Sequence, residues 1–337
     1  MTGVKCTNKL RLKFCALLIA GTVTTLSVTG CSNMKNVSDA YQAYQTSVSY
    51  GLASSPADSA DVSLMGEGLC VGGTSNTDSG SVKTDTAEAA AVFNTSTQKI
   101  TFSKNIYQRV YPASTTKCLT AYLALKYGNL DDKITVSSTA AAVPAGSSIA
   151  GFKIGDRITL RTALYGLLLM SGNDAANIIA EHISGSTSKF AVLMNQEAQK
   201  IGATDSHFVN PHGFPTANHY TTVYDMYLIF NKALSSPEFV RIINTKVQTV
   251  TYQNAAGKKV TATFRNTNWY KTGQAASPAG YTIIGGKTGS SDSSGYCLVL
   301  YSQKEQGDDR MISIIMKSDT KENLYRLMNA LLTGFSN

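Results

Sequence analysis

Three short clusters in this chain pair a hydroxyl with an amine or an amide at spacings that suit acyl-transfer chemistry. In the first, Ser114-Thr115-Thr116-Lys117, serine and lysine stand three residues apart, directly after Pro112-Ala113. The apolar run behind them predicts a helix over 115–127, stopped at Gly128-Asn129. Residues three apart share a helix face, so Lys117 can meet Ser114 Oγ. The first turn also offers backbone N–H groups to a developing oxyanion. A serine hydroxyl is a weak nucleophile and needs a base within reach. A lysine that is buried, or that faces another cation, loses its charge and can act as that base. The S-x-x-K spacing is weak by itself, because 96–99, 186–189 and 318–321 match it too. Only Ser114 opens a long apolar helix.

The second cluster is Ser171-Gly172-Asn173, between the apolar run 160–170 and a second helical run. Polar residues in such a turn would project from a buried junction into a cleft. Ser103-Lys104-Asn105 matches the same spacing without that setting. The third is Lys287-Thr288-Gly289, which continues the strand-like stretch 281–286 and leads into another at Gly295. Lysine and threonine on a strand edge can border a cleft, and the glycine lets a substrate backbone approach closely. Lys271-Thr272-Gly273 repeats the motif in a loop and is read as a loop cation.

The elements that must position these clusters follow from hydrophobic period. Strands are expected at 87–93, 98–103, 281–284, 295–301 and 311–316, and helices at 160–170, 175–183, 188–201, 223–233 and 322–332. Strands first, helices in the middle, then strands and a last helix indicate an α+β fold. Its antiparallel sheet would be completed by both ends of the chain, flanked by helices, with the helical middle as an inserted lobe.

The 337 residues carry 30 basic and 22 acidic side chains, but the excess is concentrated at the start. Lys5, Lys9, Arg11 and Lys13 lie in the acid-free first thirty residues, which leaves 26 basic against 22 acidic residues beyond them. That balance gives no reason to expect a nucleic-acid partner. The basic stretch 9–13, the apolar run 14–28 and Val28-Thr29-Gly30-Cys31 resemble a bacterial lipoprotein signal. On that reading residues 1–30 are removed and Cys31 is lipidated. The lipid tethers the protein at a membrane surface outside the cytoplasm. Residues 31–84, rich in Ser, Asp, Gly and Thr, are expected to form a spacer, with a possible packing role for 64–71, and 85–337 the catalytic domain. Past the signal, Cys70, Cys118 and Cys297 allow at most one disulfide, and buried free thiols are the expectation. His207, His212 and His219 lie close together, but no acidic residue completes a zinc pattern, so they are assigned to hydrogen bonding and His182 to the surface. No metal site is expected.

Taken together, Pro112 to Lys117, Met170 to Ala176, His207 to Gly213, His219 to Thr222 with Asp225, and Gly286 to Gly289 with Gly295-Tyr296 resemble serine D-alanyl-D-alanine carboxypeptidases of the penicillin-binding protein superfamily. The resemblance runs from about Ala87 to Phe335 and implies a β-lactamase/penicillin-binding-protein-like fold. It implies removal of the terminal D-alanine from a peptidoglycan stem peptide through an acyl-enzyme, with β-lactams as inhibitors and no metal or organic cofactor. By the same resemblance Ser114 is the nucleophile, Lys117 its base and Ser171 a proton relay. Asn173, Lys287, Thr288 and Gly289 would hold substrate, and the N–H groups of Ser114 and Ser290 would form the oxyanion hole. Arg326 lies near the place of a carboxylate-binding arginine but out of register, and is not assigned. The β-rich C-terminal domain and terminal membrane helix of some relatives have no counterpart before the sequence ends, and Cys31 could replace that anchor. A β-lactamase would share the motifs, but no Glu-x-x-Leu-Asn follows Asn173, and Glu181 and Glu197 sit in helical runs. Transpeptidation and non-catalytic penicillin binding are the other readings.

Overall fold

The computed structural model describes residues 66–307 and 309–335. The expected signal segment 1–30 and the expected lipidation site Cys31 lie outside the described residues.

Strands β1 (Ala87–Asn94) and β2 (Lys99–Lys104) form a hairpin, and β7 (Tyr281–Ser291), β8 (Gly295–Lys304) and β9 (Arg310–Ser318) form a meander. Strand β9 pairs antiparallel with β1, giving one sheet in the order β2-β1-β9-β8-β7. The two ends of the domain therefore build one sheet, as the order of elements implied. Side chains alternate between its faces. Ala90, Val92, Leu298, Leu300 and Ile315 meet Leu324, Leu327, Met328 and Leu331 of the final helix, Lys321–Gly334. Ala89, Ala91, Phe93, Val299 and Ile314 turn to the other face, against the helical middle. Each Val, Leu, Ile, Phe or Met among them contributes roughly 1.5–3 kcal/mol on burial.

The middle begins with a 3₁₀ turn, Ala113–Thr116, that runs into α1 (Lys117–Tyr127). There follow α2 (Ser138–Ala141), α3 (Leu160–Leu168), α4 (Asn173–Ser184), α5 (Thr187–Ile201), α6 (Val223–Leu234) and α7 (Pro237–Asn244). A single turn, α8 (Trp269–Thr272), and the C-terminal α9 (Lys321–Gly334) complete the helices of the described residues. Polar caps start them: Thr159, Ser186, Thr222 and Thr320 each accept the N–H three residues on. Gly185 and Gly202, both at positive φ, end α4 and α5. Every residue of α1 from Lys117 to Ala124 is buried, whichever face it occupies. The helix behind the nucleophile is therefore a core helix, and Lys117 is buried with it.

Two features depart from the sequence reading. A second sheet, β3 (Lys133–Thr135), β4 (Arg157–Thr159), β5 (Val247–Gln253) and β6 (Lys259–Arg265), accompanies the helices, so the inserted lobe is not purely helical. The 66–84 part of the expected spacer also packs on the domain. Cys70 is fully buried; its N–H donates to Tyr227 Oη at 2.8 Å and its carbonyl accepts from Tyr224 Oη at 3.0 Å. Thr77 N–H donates to the Ser103 carbonyl of β2 at 2.8 Å, and Lys104 Nζ to the Thr84 carbonyl at 2.7 Å. Tyrosine hydroxyls buried against a backbone strand need such partners, and this stretch supplies them. The domain boundary expected at 85 thus falls inside a packed segment.

Candidate active site

Ser114 sits in the 3₁₀ turn with its side chain beside Lys117 Nζ, 2.7 Å away. The same Nζ lies 2.8 Å from Asn173 Oδ1 and 2.8 Å from the carbonyl oxygen of His212. Asn173 Nδ2 donates to Ser147 Oγ at 2.9 Å, which leaves Oδ1 facing the lysine. Both carbonyl oxygens can only accept. A neutral amine has two N–H bonds and one lone pair, so the two carbonyls take the N–H bonds and the lone pair faces the Ser114 hydroxyl. Lys117 is fully buried, and its pKa falls well below the ordinary lysine range. Burial is the main cause, followed by the positive charge of Lys287, and Asp174 and Cys118 oppose the shift.

Lys287, on β7, is 1% exposed and donates to Ser171 Oγ at 2.9 Å and to the Thr288 carbonyl at 2.7 Å. Burial pushes its pKa down to about 8. Ser171 stands between α3 and α4 at φ +57°, a left-handed conformation that a non-glycine residue adopts at a cost of about 1–3 kcal/mol. Ala113 is likewise at φ +46° beside the nucleophile. Thr288 Oγ1 lies 2.7 Å from Thr267 Oγ1. Strand β7 closes on the nucleophile turn so tightly that a Cβ on Gly289 would stand 2.9 Å from Ser114 N. It is also the last strand in the sheet order, so one of its backbone edges has no partner strand among the described residues.

Two cavities border Ser114. One, of about 490 Å³, is lined by Ser114, Ser147, Asn173, His212, Phe214, Ser290 and Asp292 among others. The other, of about 170 Å³, is lined by Ser114, Ser171, Thr267, Thr288, Ser290 and Lys321 among others. Asp174 holds one wall in place by accepting the N–H groups of Ala150, Gly151 and Phe152. The opposite wall is the 207–214 loop. A Cβ on Gly213, itself at φ +85°, would come within 1.8 Å of the Ala113 carbonyl oxygen.

These positions match a known family. The model for peptidase S11, D-alanyl-D-alanine carboxypeptidase, matches residues 76–320. The chain belongs to this family. It is 30% identical over 256 residues to D-alanyl-D-alanine carboxypeptidase DacF of Bacillus subtilis, covering 74% of this chain and 62% of that protein. The same kind of enzyme from Streptomyces strain K15 is 31% identical over 236 residues, covering 67% and 78%. The crystal structure of the K15 DD-transpeptidase superposes with a TM-score of 0.66 at 30% identity, over 74% of this chain and 97% of that one. Penicillin-binding-protein architecture, antiparallel sheet with flanking helices, is thus the fold of this S11 chain. Against the first relatives the match spans only about three fifths of their length, 62%, 61% and 56%.

The S11 chain brings Ser114, Lys117, Ser171, Asn173, Lys287, Thr288, Gly289 and Ser290 together around one cleft. Lys271 is elsewhere, donating to Asn244 Oδ1. Arg326 lines a separate groove with Ser81 and Val82. Sequence reasoning missed Lys321, which lines the cleft beside Thr288 and stacks 4.5 Å over the Trp269 ring. It is the lysine of the Ser318-to-Lys321 match that was set aside; only tertiary placement reveals it. His219 accepts Val209 N–H at Nδ1 and therefore donates from Nε2 to Thr116 Oγ1, 2.9 Å away. His212 Nδ1 accepts Phe214 N–H. Burial pushes both histidines down to about 3, so they are neutral braces of the cleft wall. Glu181 accepts from the Ser137 and Thr139 hydroxyls, and Glu197 pairs with Lys126 and Lys200. Cys70, Cys118 and Cys297 are free, buried thiols.

Proposed function

We propose that this chain is a serine D-alanyl-D-alanine carboxypeptidase that trims peptidoglycan stem peptides and is acylated by β-lactams. The observation that carries it is the environment of Lys117 Nζ, two carbonyl acceptors and the Ser114 hydroxyl. Ser114 Oγ bonds to the carbonyl carbon between the two D-alanines, and its proton passes to Lys117. The N–H groups of Ser114 and Ser290 hold the oxyanion; such donors are worth about 3–4 kcal/mol each. The C–N bond then breaks, and the departing amine takes a proton through Ser171, which hydrogen-bonds Lys287. Water reverses the sequence and frees the acid. Strand β7 pairs with the peptide along its open edge. Thr288, Thr267 and Lys321 receive the terminal carboxylate.

Neither Glu181 nor Glu197 lines the cleft, and both are engaged elsewhere. With no glutamate in the cleft to activate water, the β-lactam adduct is long-lived. The basic, apolar and cysteine-ended start of the sequence supports export and lipidation at Cys31, which would hold the enzyme on the outer side of a membrane. The reaction itself is tested by D-alanine release from a stem pentapeptide. The wild type releases it, and Ser114→Ala lowers the rate at least about 10³-fold. Equal rates would reject Ser114 as nucleophile.

A further inference from the structure

The cleft carries opposite charge at its two ends. On one side of Ser114 the smaller cavity is bordered by Thr288 and Lys321. On the other side Asp292 is the only carboxylate among the residues lining the larger cavity, which include no lysine or arginine. His212 there is neutral, so it does not offset that charge. Among the described residues Asp292 forms no ion pair. It stands in the connection between β7 and β8, which is braced from inside. Ser291 Oγ accepts Ser294 N–H at 3.1 Å and lies 2.7 Å from Ser294 Oγ. The carboxylate is thus an unpaired charge on a fixed turn at the mouth of the cavity.

The direction of the substrate assigns that charge a partner. If the terminal carboxylate lies at the lysine end, the acyl-donor part must occupy the larger cavity and point toward Asp292. Asp292, in the turn, follows Ser290 by two residues, so the two stand at most roughly 7 Å apart along the chain. A four-carbon side chain on the residue before the two D-alanines spans a gap of that size. Phe214, 37% exposed, together with Pro215 and Ala145, offers an apolar wall to its methylene stem. We propose that Asp292 selects acyl donors whose residue preceding D-Ala-D-Ala carries an aliphatic side chain ending in an ammonium group. This rests on the carboxypeptidase reading and extends it to substrate choice.

The test compares two peptides, Nα-acetyl-L-Lys-D-Ala-D-Ala with a free side-chain amine and the same peptide acetylated on that amine. For the wild type, kcat/KM favours the free amine by about fivefold at low salt, the upper range for a solvent-exposed pair. The preference shrinks as salt is added. In Asp292→Asn the ratio of the two falls to near one, and in Asp292→Lys it inverts. Because the ratio is internal to each variant, a general loss of activity or fold cancels from it. A ratio in Asp292→Asn equal to that of the wild type overturns the assignment while leaving the carboxypeptidase reading standing. Failure of the wild type to release D-alanine from either peptide overturns both.

Discussion

At the scale of single residues, the cleft depends on two lysines with different charges at one pH. Lys117 is pushed well below 10.5 by burial and by Lys287, and Lys287 is pushed down to about 8 by burial. The base must be neutral, so acylation rises with pH as Lys117 loses its proton, and this limb lies below the ordinary lysine range. Lys287 keeps its charge below about 8 and loses it above. If that charge holds Lys117 neutral and orients the substrate, the rate falls again past about 8. A bell-shaped pH profile of kcat/KM for D-alanine release is expected, and a single limb rising toward 10.5 would contradict the assignment. Stability follows the same sign. Both groups hold fewer protons folded than unfolded between their lowered pKa and 10.5, so stability should climb with pH in that window. The motif residues were legible in sequence because each match is local: a helical turn sets Ser114 against Lys117. Lys321 was not, since nothing adjacent to it in sequence marks a cleft, and Asp292, though close to the Lys287-Thr288-Gly289 motif, is not part of it.

At the scale of elements, the nucleophile turn is held where three backbones meet. Ala113 is strained at φ +46°, Gly289 of β7 lies against Ser114 N, and Gly213 lies against the Ala113 carbonyl. The 207–214 loop also supplies the His212 carbonyl that fixes Lys117. Gly213→Ala places a methyl group 1.8 Å from backbone oxygen at a φ of +85°. Relief requires the loop to retreat, which costs about 1–3 kcal/mol for the strain alone and withdraws an acceptor from Lys117. Thermal unfolding should drop by several degrees, and penicillin acylation should slow by at least about tenfold. Unchanged values for both would show that the loop is not a support of the site. The typical His207-to-Gly213 stretch was visible in the sequence, but its contact with the turn was not. The β5–β6 pair was overlooked although Val247 to Gln253 alternates and Asn254 to Gly257 is a turn signal. Its strands are mostly exposed, so the apolar runs that marked the other strands are missing there.

At the scale of the whole molecule, both ends of the described domain converge on one sheet, which explains why the fold class could be inferred from element order alone. The boundary of the domain could not. Residues 66–84 have the composition of a linker, yet they supply backbone partners to Tyr227, Tyr224 and Ser103. Polar, glycine-rich sequence can be ordered when buried hydroxyls elsewhere need its carbonyl and N–H groups. Upstream, the proposed lipid at Cys31 predicts a change of compartment rather than of catalysis. Cys31→Ser should move the protein from the membrane fraction to the soluble exported fraction, and a chain that stays membrane-bound would rule out a lipid at Cys31 as its anchor.

The central claim is a serine made nucleophilic by a neutral lysine, in a cleft with no glutamate for rapid release of a β-lactam. It is tested most directly by intact-mass and peptide-map spectra after exposure to benzylpenicillin. The expected result is one adduct per chain, persisting after the drug is removed, on the peptide that contains Ser114, and absent from Ser114→Ala. An adduct on another peptide, or none that outlasts the drug, would contradict the claim.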